Sequence, residues 1–188
     1  MKKIIIAAIL GLTSALYSAD VVVYPRSTGY PYQCPAPKTG QTNSYATGDD
    51  GEFQKGVAWP AVRFTVQDNT NCVRDNLTGL IWARNANLNS TNTWSNQIEF
   101  CESLDYGGQT DWRLPNIREI QSLFDFGRYN PALPTGHPFA NVQNNNYWTG
   151  TSDPAFFDTY ATRTHFGGGS VGNVLKTTLY FVWPVRGP

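Results

Sequence analysis

Two histidines, three cysteines and fourteen carboxylates are the side chains of this 188-residue chain that could carry catalysis. Their spacing supports none. A Ser–His–Asp hydrolase needs its nucleophile on a sharp strand-to-helix turn, and no GxSxG elbow accompanies His137 or His165. Asp105 and Asp111 form a carboxylate pair that nothing places around a cleft. No CxxC or HxxxH spacing offers ligands to a metal, so neither a metal nor a cofactor is expected. The acidic Gly48-Asp49-Asp50-Gly51-Glu52 lacks the alternating ligands of an EF-hand loop and reads as a turn. The residues point away from an enzyme.

Binding chemistry has better candidates. Along 161–166, Thr162, Thr164 and Phe166 share one face of an extended segment, and Arg163 and His165 share the other. Phe166 marks the first face as core, which turns Arg163 and His165 outward. Asn144, Asn145, Asn146 and Lys176 belong to neighbouring segments. Such a mixture hydrogen-bonds hydroxyls and pairs with a sulfate or carboxylate. Arg163, His165, Lys176 and Asn146 are therefore the candidate ligand-binding residues, the alternative being an ordinary solvated strand face. Arg113, between Trp112 and Leu114, is read as a partly buried brace whose partner is Asp75 or Glu119. Its removal would then cost on the order of 3 kcal/mol. Trp82, Trp94, Trp112 and Trp148 fall on apolar stripes and read as core. Trp59 and Trp183, each beside a proline, are undecided.

These groups must be positioned by a small set of elements. Val62 to Val66 alternates apolar and polar residues, as a half-buried strand does. Cys72 to Arg84 reads as a hairpin turning at Asn76-Leu77-Thr78-Gly79. Thr93 caps a helix whose apolar stripe is Trp94, Ile98, Cys101 and Leu104. Asn116 and Glu119 form a capping box for a second helix, with Ile117, Ile120 and Phe124 on its buried face. Pro115 fixes that boundary. Tyr147–Ser152, Thr159–Phe166, Ser170–Leu175 and Tyr180–Arg186 read as short strands of a meander. The order gives an α+β domain, residues 61–188, with two short helices packed on a twisted, mainly antiparallel sheet.

The first 19 residues have the three parts of a secretory signal peptide: Lys2 and Lys3, an apolar run Ile4–Leu12, and small residues up to Ala19. Cleavage follows Ala19 or Ala15, and the run is too short for a membrane span. Residues 20–60 form an extended arm rich in Pro, Gly and Tyr. A net charge of +0 argues against a nucleic-acid partner. Three cysteines in an exported chain imply one disulfide and one leftover thiol. Cys72–Cys101 is the favoured bridge, closing a loop of about 30 residues and adding roughly 3–4 kcal/mol. The alternative is that Cys101 is a buried small hydrophobe.

TGLIW, a helix ending in a Cys, DWRLPN-x-x-E, YWTGTS and a final VWPVRG, in that order, resemble the bacterial domain named after the C-terminal domain of the Legionella collagen-like adhesin. The likeness extends upstream through KTGQT, GDDG and QKGVAWP, and so covers roughly Pro37 to Gly187. It implies a C-type-lectin-like fold and a non-enzymatic, exported module that binds surface polysaccharide, sulfated or acidic, or protein. The destination is secreted, periplasmic or cell-surface. A structural component of an envelope or extracellular assembly is the alternative. In place of the DNGDGTVTD of many relatives stands QDNTNCVRD. There is no Gly-x-y repeat, so the namesake's stalk-driven trimerisation does not carry over. The calcium-dependent sugar motifs of animal C-type lectins are absent too. Formylglycine-generating oxidases share the fold but need paired cysteines near the C-terminus, and none follows Cys101.

Overall fold

The computed structural model describes residues 36–67 and 70–187. The signal peptide, residues 20–35 of the arm and Cys34 lie outside them. A hairpin organises the first half of the domain. β2 (Cys72–Asp75) and β3 (Ile81–Ala83) pair antiparallel, with Val73 opposite Trp82. The turn is tied by Asp75, whose carboxylate accepts from Leu77 N–H and Thr78 Oγ1, both at 2.9 Å. Gly79 follows at φ 79°, a left-handed conformation that suits glycine. β1 (Phe64–Val66) adds to β2, and β7 (Val185–Arg186) adds to β3, giving a four-stranded antiparallel sheet.

The second sheet is a meander of β4 (Asn146–Ser152), β5 (Tyr160–His165) and β6 (Ser170–Leu175), all antiparallel. Among the described residues, three short helices accompany the two sheets: α1 (Asp50–Phe53), α2 (Trp94–Glu102) and α3 (Ile117–Gln121). The fold is α+β, consistent with a lectin-like mixed architecture. The acidic turn closes into α1, one helical turn in which Asp49 Oδ1 accepts the Glu52 N–H.

The terminal segment departs from the expected strand Tyr180–Arg186. Only Val185–Arg186 pair as a strand, because the chain must leave one sheet and join the other. Trp148 N–H donates to Phe181 O (2.9 Å) on the β4 side, and Ala83 N–H donates to Pro184 O (3.0 Å) on the β3 side. Pro184 itself has no N–H to offer. Between them, Val182 and Trp183 enter separate core clusters. The larger cluster gathers Trp82, Trp183, Phe139, Tyr147, Phe166 and Ile120, among others. The smaller holds Cys101, Leu114, Trp148, Ala161 and Val182, with Trp94 and Ile98 packed against it.

This division overturns the expected Cys72–Cys101 disulfide. Cys72 packs in the larger cluster and Cys101 in the smaller, and no bond joins them. The loop-closure stabilisation is therefore missing, and Cys101 is the buried small hydrophobe of the alternative reading. Burial pushes its thiol up to about 12, with the Glu102 charge adding to the shift. Such a thiol stays protonated and inert.

Helix α2 holds a second surprise. Gln97, outside the apolar stripe, is fully buried. Its amide donates to Ser90 O (2.9 Å) and Tyr180 O (2.8 Å) and accepts from Asn89 Nδ2 (2.9 Å). A buried amide so satisfied ties the helix to the preceding loop and to the crossing segment. Thr93 is the N-cap but makes no side-chain capping bond.

Candidate functional site

The segment Asp111–Asn116 is anchored at every residue. Trp112 is buried, its indole N–H shared between Tyr106 O (3.0 Å) and Gln109 O (3.1 Å). Asp111 takes Arg186 through Nε (2.5 Å) and Nη2 (3.0 Å). Asn116 caps α3 by accepting from Arg118 N–H and Glu119 N–H, and Glu119 reaches back to Asn116 N–H at 2.7 Å. Of the two partners foreseen for Arg113, the structure supplies Glu119, with two parallel bonds of 2.7 Å. The Arg113 side chain is 40% exposed, however, and Glu119 15%. Solvent screens the pair, so the loss expected for Arg113→Ala falls to about 1 kcal/mol.

Burial opposes ionisation of Glu119, yet the bonds from Arg113 and from Asn116 N–H outweigh it and hold the carboxyl below its ordinary 4.5. A carboxyl depressed in the folded state stabilises above its unfolded value, and that contribution disappears as pH falls through the folded one. Wild type should therefore lose more thermal stability on acidification below 4.5 than Glu119→Gln does. Equal losses in the two proteins would contradict the assignment.

Asp75 belongs to a different residue. Arg63 Nε lies 2.7 Å from Asp75 Oδ1, Nη2 lies 3.1 Å from Oδ2, and Nη2 also donates to Ser122 O at 2.6 Å. Both side chains are buried, at 7% and 0% exposure. The guanidinium lies over the rings of Trp59 (4.9 Å) and Phe64 (5.0 Å). The alternation along 62–66 pointed the other way, with Arg63 among the outward polar positions. Instead Val62 is 63% exposed. A carboxylate at zero exposure requires a cation, and that requirement overrides a single hydrophobic position.

The four candidate ligand-binding residues are placed as follows. Asn146 pairs in register with His165, and Trp148 with Arg163, so these four share one face of the meander, on which Trp148 and Ala161 are fully buried and Arg163 and His165 are half-buried beside them. Thr162, Thr164 and Phe166 are buried on the other. His165 Nδ1 accepts from Gly167 N–H at 2.9 Å, which leaves Nε2 as the donor of the neutral ring. Arg163 lies across Gly172, where a Cβ would stand 3.2 Å from Nη2, and donates to Ser170 Oγ at 3.2 Å. Asn146 Oδ1 is buried without a hydrogen-bond partner. Lys176 is not brought to them. It follows the last residue of β6, Leu175, and stands four residues beyond Gly172. There it covers the Trp94 ring at 3.9 Å and donates to Phe157 O at 2.7 Å. Among the structural candidates, Trp82 and Trp148 are fully buried.

Among the described residues, no group of three or more His, Cys, Asp or Glu is arranged to hold a metal ion. Also among them, no helix is long and apolar enough to cross a membrane. The α+β architecture is consistent with a lectin-like mixed fold. The chain matches the family model of the Lcl C-terminal domain over residues 71–186, more than half its length, and belongs to that family. The Legionella collagen-like adhesin gives the family its name. Membership of this exported, non-catalytic adhesin-domain family supports a binding role. No curated protein matches the chain.

Proposed function

We propose that the chain is an exported binding module that recognises polysaccharide at extracellular surfaces through the face carrying Asn146, Arg163 and His165. Its destination on this reading is the periplasm, the cell surface or the medium. The observation that carries the site is the β4–β5 register, which sets an amide, a guanidinium and an imidazole side by side. A sulfate or carboxylate beside a sugar hydroxyl answers that set, the guanidinium supplying charge-assisted donors. The chain carries +0 net charge, so attraction comes from this local cluster and not from a general field.

Binding to a sulfated glycan should therefore weaken from low to physiological salt, be indifferent to chelator, and be lost in Arg163→Ala. Calcium-dependent binding, or anionic binding unaffected by the substitution, would refute the site. A second reading, a component of an envelope or extracellular assembly, draws on exposed apolar residues beside β6. Phe156, Phe157, Leu175 and Leu179 are 64%, 61%, 43% and 55% exposed. Absence of all glycan binding would favour it.

A further inference from the structure

A cleft of ≈ 570 Å³ opens between the first described segment and the turn that follows α3. That volume lies within the ~300–1,000 Å³ typical of small-molecule sites. Two glycines permit the close approach that forms it. Gly40 is at φ +90°, and a Cβ there would stand 2.4 Å from Asp125 Oδ1 and 2.7 Å from Trp59 Cη2. A Cβ on Gly127 would stand 2.7 Å from the Gly40 carbonyl oxygen. The two segments are joined by Phe126 N–H donating to Thr39 O at 2.9 Å.

Lys38, Gln41, Asn43, Trp59, Asp125 and Arg128 are among the lining residues. Trp59 is held in place by its indole N–H on Lys38 O (2.9 Å) and by the Arg63 guanidinium over its ring. Asp125 is buried in the wall. Its Oδ1 accepts the Gly127 N–H at 2.8 Å, while among the described residues the cation facing Oδ2 is Arg128, with Nε at 3.8 Å. That separation is too long for a hydrogen bond. A carboxylate and a guanidinium held just apart suit a hydroxyl, which donates to the first and accepts from the second. An anionic group beside Asp125 would be repelled. The indole offers the apolar surface that the C–H face of a sugar ring packs against.

We propose that this cleft binds a neutral pyranose unit, with Trp59 as its wall and one sugar hydroxyl bridging Asp125 Oδ2 and Arg128. The site is built from different elements than the Arg163 face and does not depend on it. Its test is saturation-transfer NMR on the full chain with the methyl pyranosides of glucose, galactose and mannose. At least one should receive saturation from the protein, and the signal should persist in about 0.3 M NaCl, where exposed charges are screened. It should vanish in Asp125→Asn, weaken roughly tenfold in Arg128→Ala, and survive in Arg163→Ala. Asparagine keeps the acceptor for Gly127 N–H and Arg128 is 57% exposed, so both variants should fold, which thermal unfolding verifies. Binding by none of the three glycosides, or unchanged binding in both cleft variants, overturns the proposal. So does a signal abolished by Arg163→Ala and indifferent to Arg128→Ala, which would place the sugar on the sheet face.

Discussion

Arg63→Ala should destabilise the domain by about 3–5 kcal/mol, the cost of leaving a buried charge without its partner. Asp75 has zero side-chain exposure, and it also ties the β2–β3 turn through Leu77 N–H and Thr78 Oγ1. Removing the guanidinium strands that carboxylate and releases Ser122 O and the faces of Trp59 and Phe64. For a domain of this size the thermal midpoint should fall by roughly 10 °C. A double change to Arg63→Met with Asp75→Asn should recover part of the loss, because asparagine leaves no charge to strand while its Oδ1 still accepts the Leu77 N–H. A midpoint for Arg63→Ala within about 2 °C of wild type would show that Asp75 is solvated or finds another cation.

Trp183→Ala should cost a similar amount, about 3–5 kcal/mol, by opening a cavity at the centre of the larger core cluster. Trp183 is fully buried. Its ring lies 4.8 Å from Phe139, 5.1 Å from Phe166 and 5.9 Å from both Trp82 and Tyr147. Its indole N–H donates to Ala83 O at 2.8 Å, which couples the crossing segment to β3. Trp183→Phe keeps most of the ring contact and should lose less, the remaining deficit reflecting that bond. Chemical denaturation of the three proteins measures this order. Equal losses for alanine and phenylalanine would mean that the hydrogen bond, and not ring packing, dominates the residue.

Features whose causes are local were legible in the sequence. The capping box needs only Asn116 and Glu119 three residues apart, and the hairpin needs only a turn tetrapeptide between two apolar runs. The parity that separates Arg163 and His165 from Thr164 and Phe166 follows from strand geometry alone. Features set by tertiary placement were not legible. Arg63 is buried because Asp75 needs it, although the alternation around it points outward. Gln97 is buried because carbonyls of Ser90 and Tyr180 meet it, and nothing in the helix announces them. The two cysteines stay apart because β2 and α2 feed different clusters. Lys176 was expected beside Arg163, but it lies one residue past the end of β6, over the Trp94 ring. Trp59 and Trp183 look alike in sequence, each followed by proline. One lines a cleft and the other fills the core. The cleft itself depends on Gly40 meeting Asp125 across the fold, a contact without local signal.

On the function proposed above, this domain binds polysaccharide and leaves it chemically unchanged. The most direct test applies the full chain to an array of sulfated, acidic and neutral glycans, with and without chelator, and recovers the bound glycan for mass analysis. Chelator-insensitive binding to at least one class of glycan is expected, with that glycan recovered intact. Silence across the array, or recovery of a cleaved or modified glycan, would contradict it.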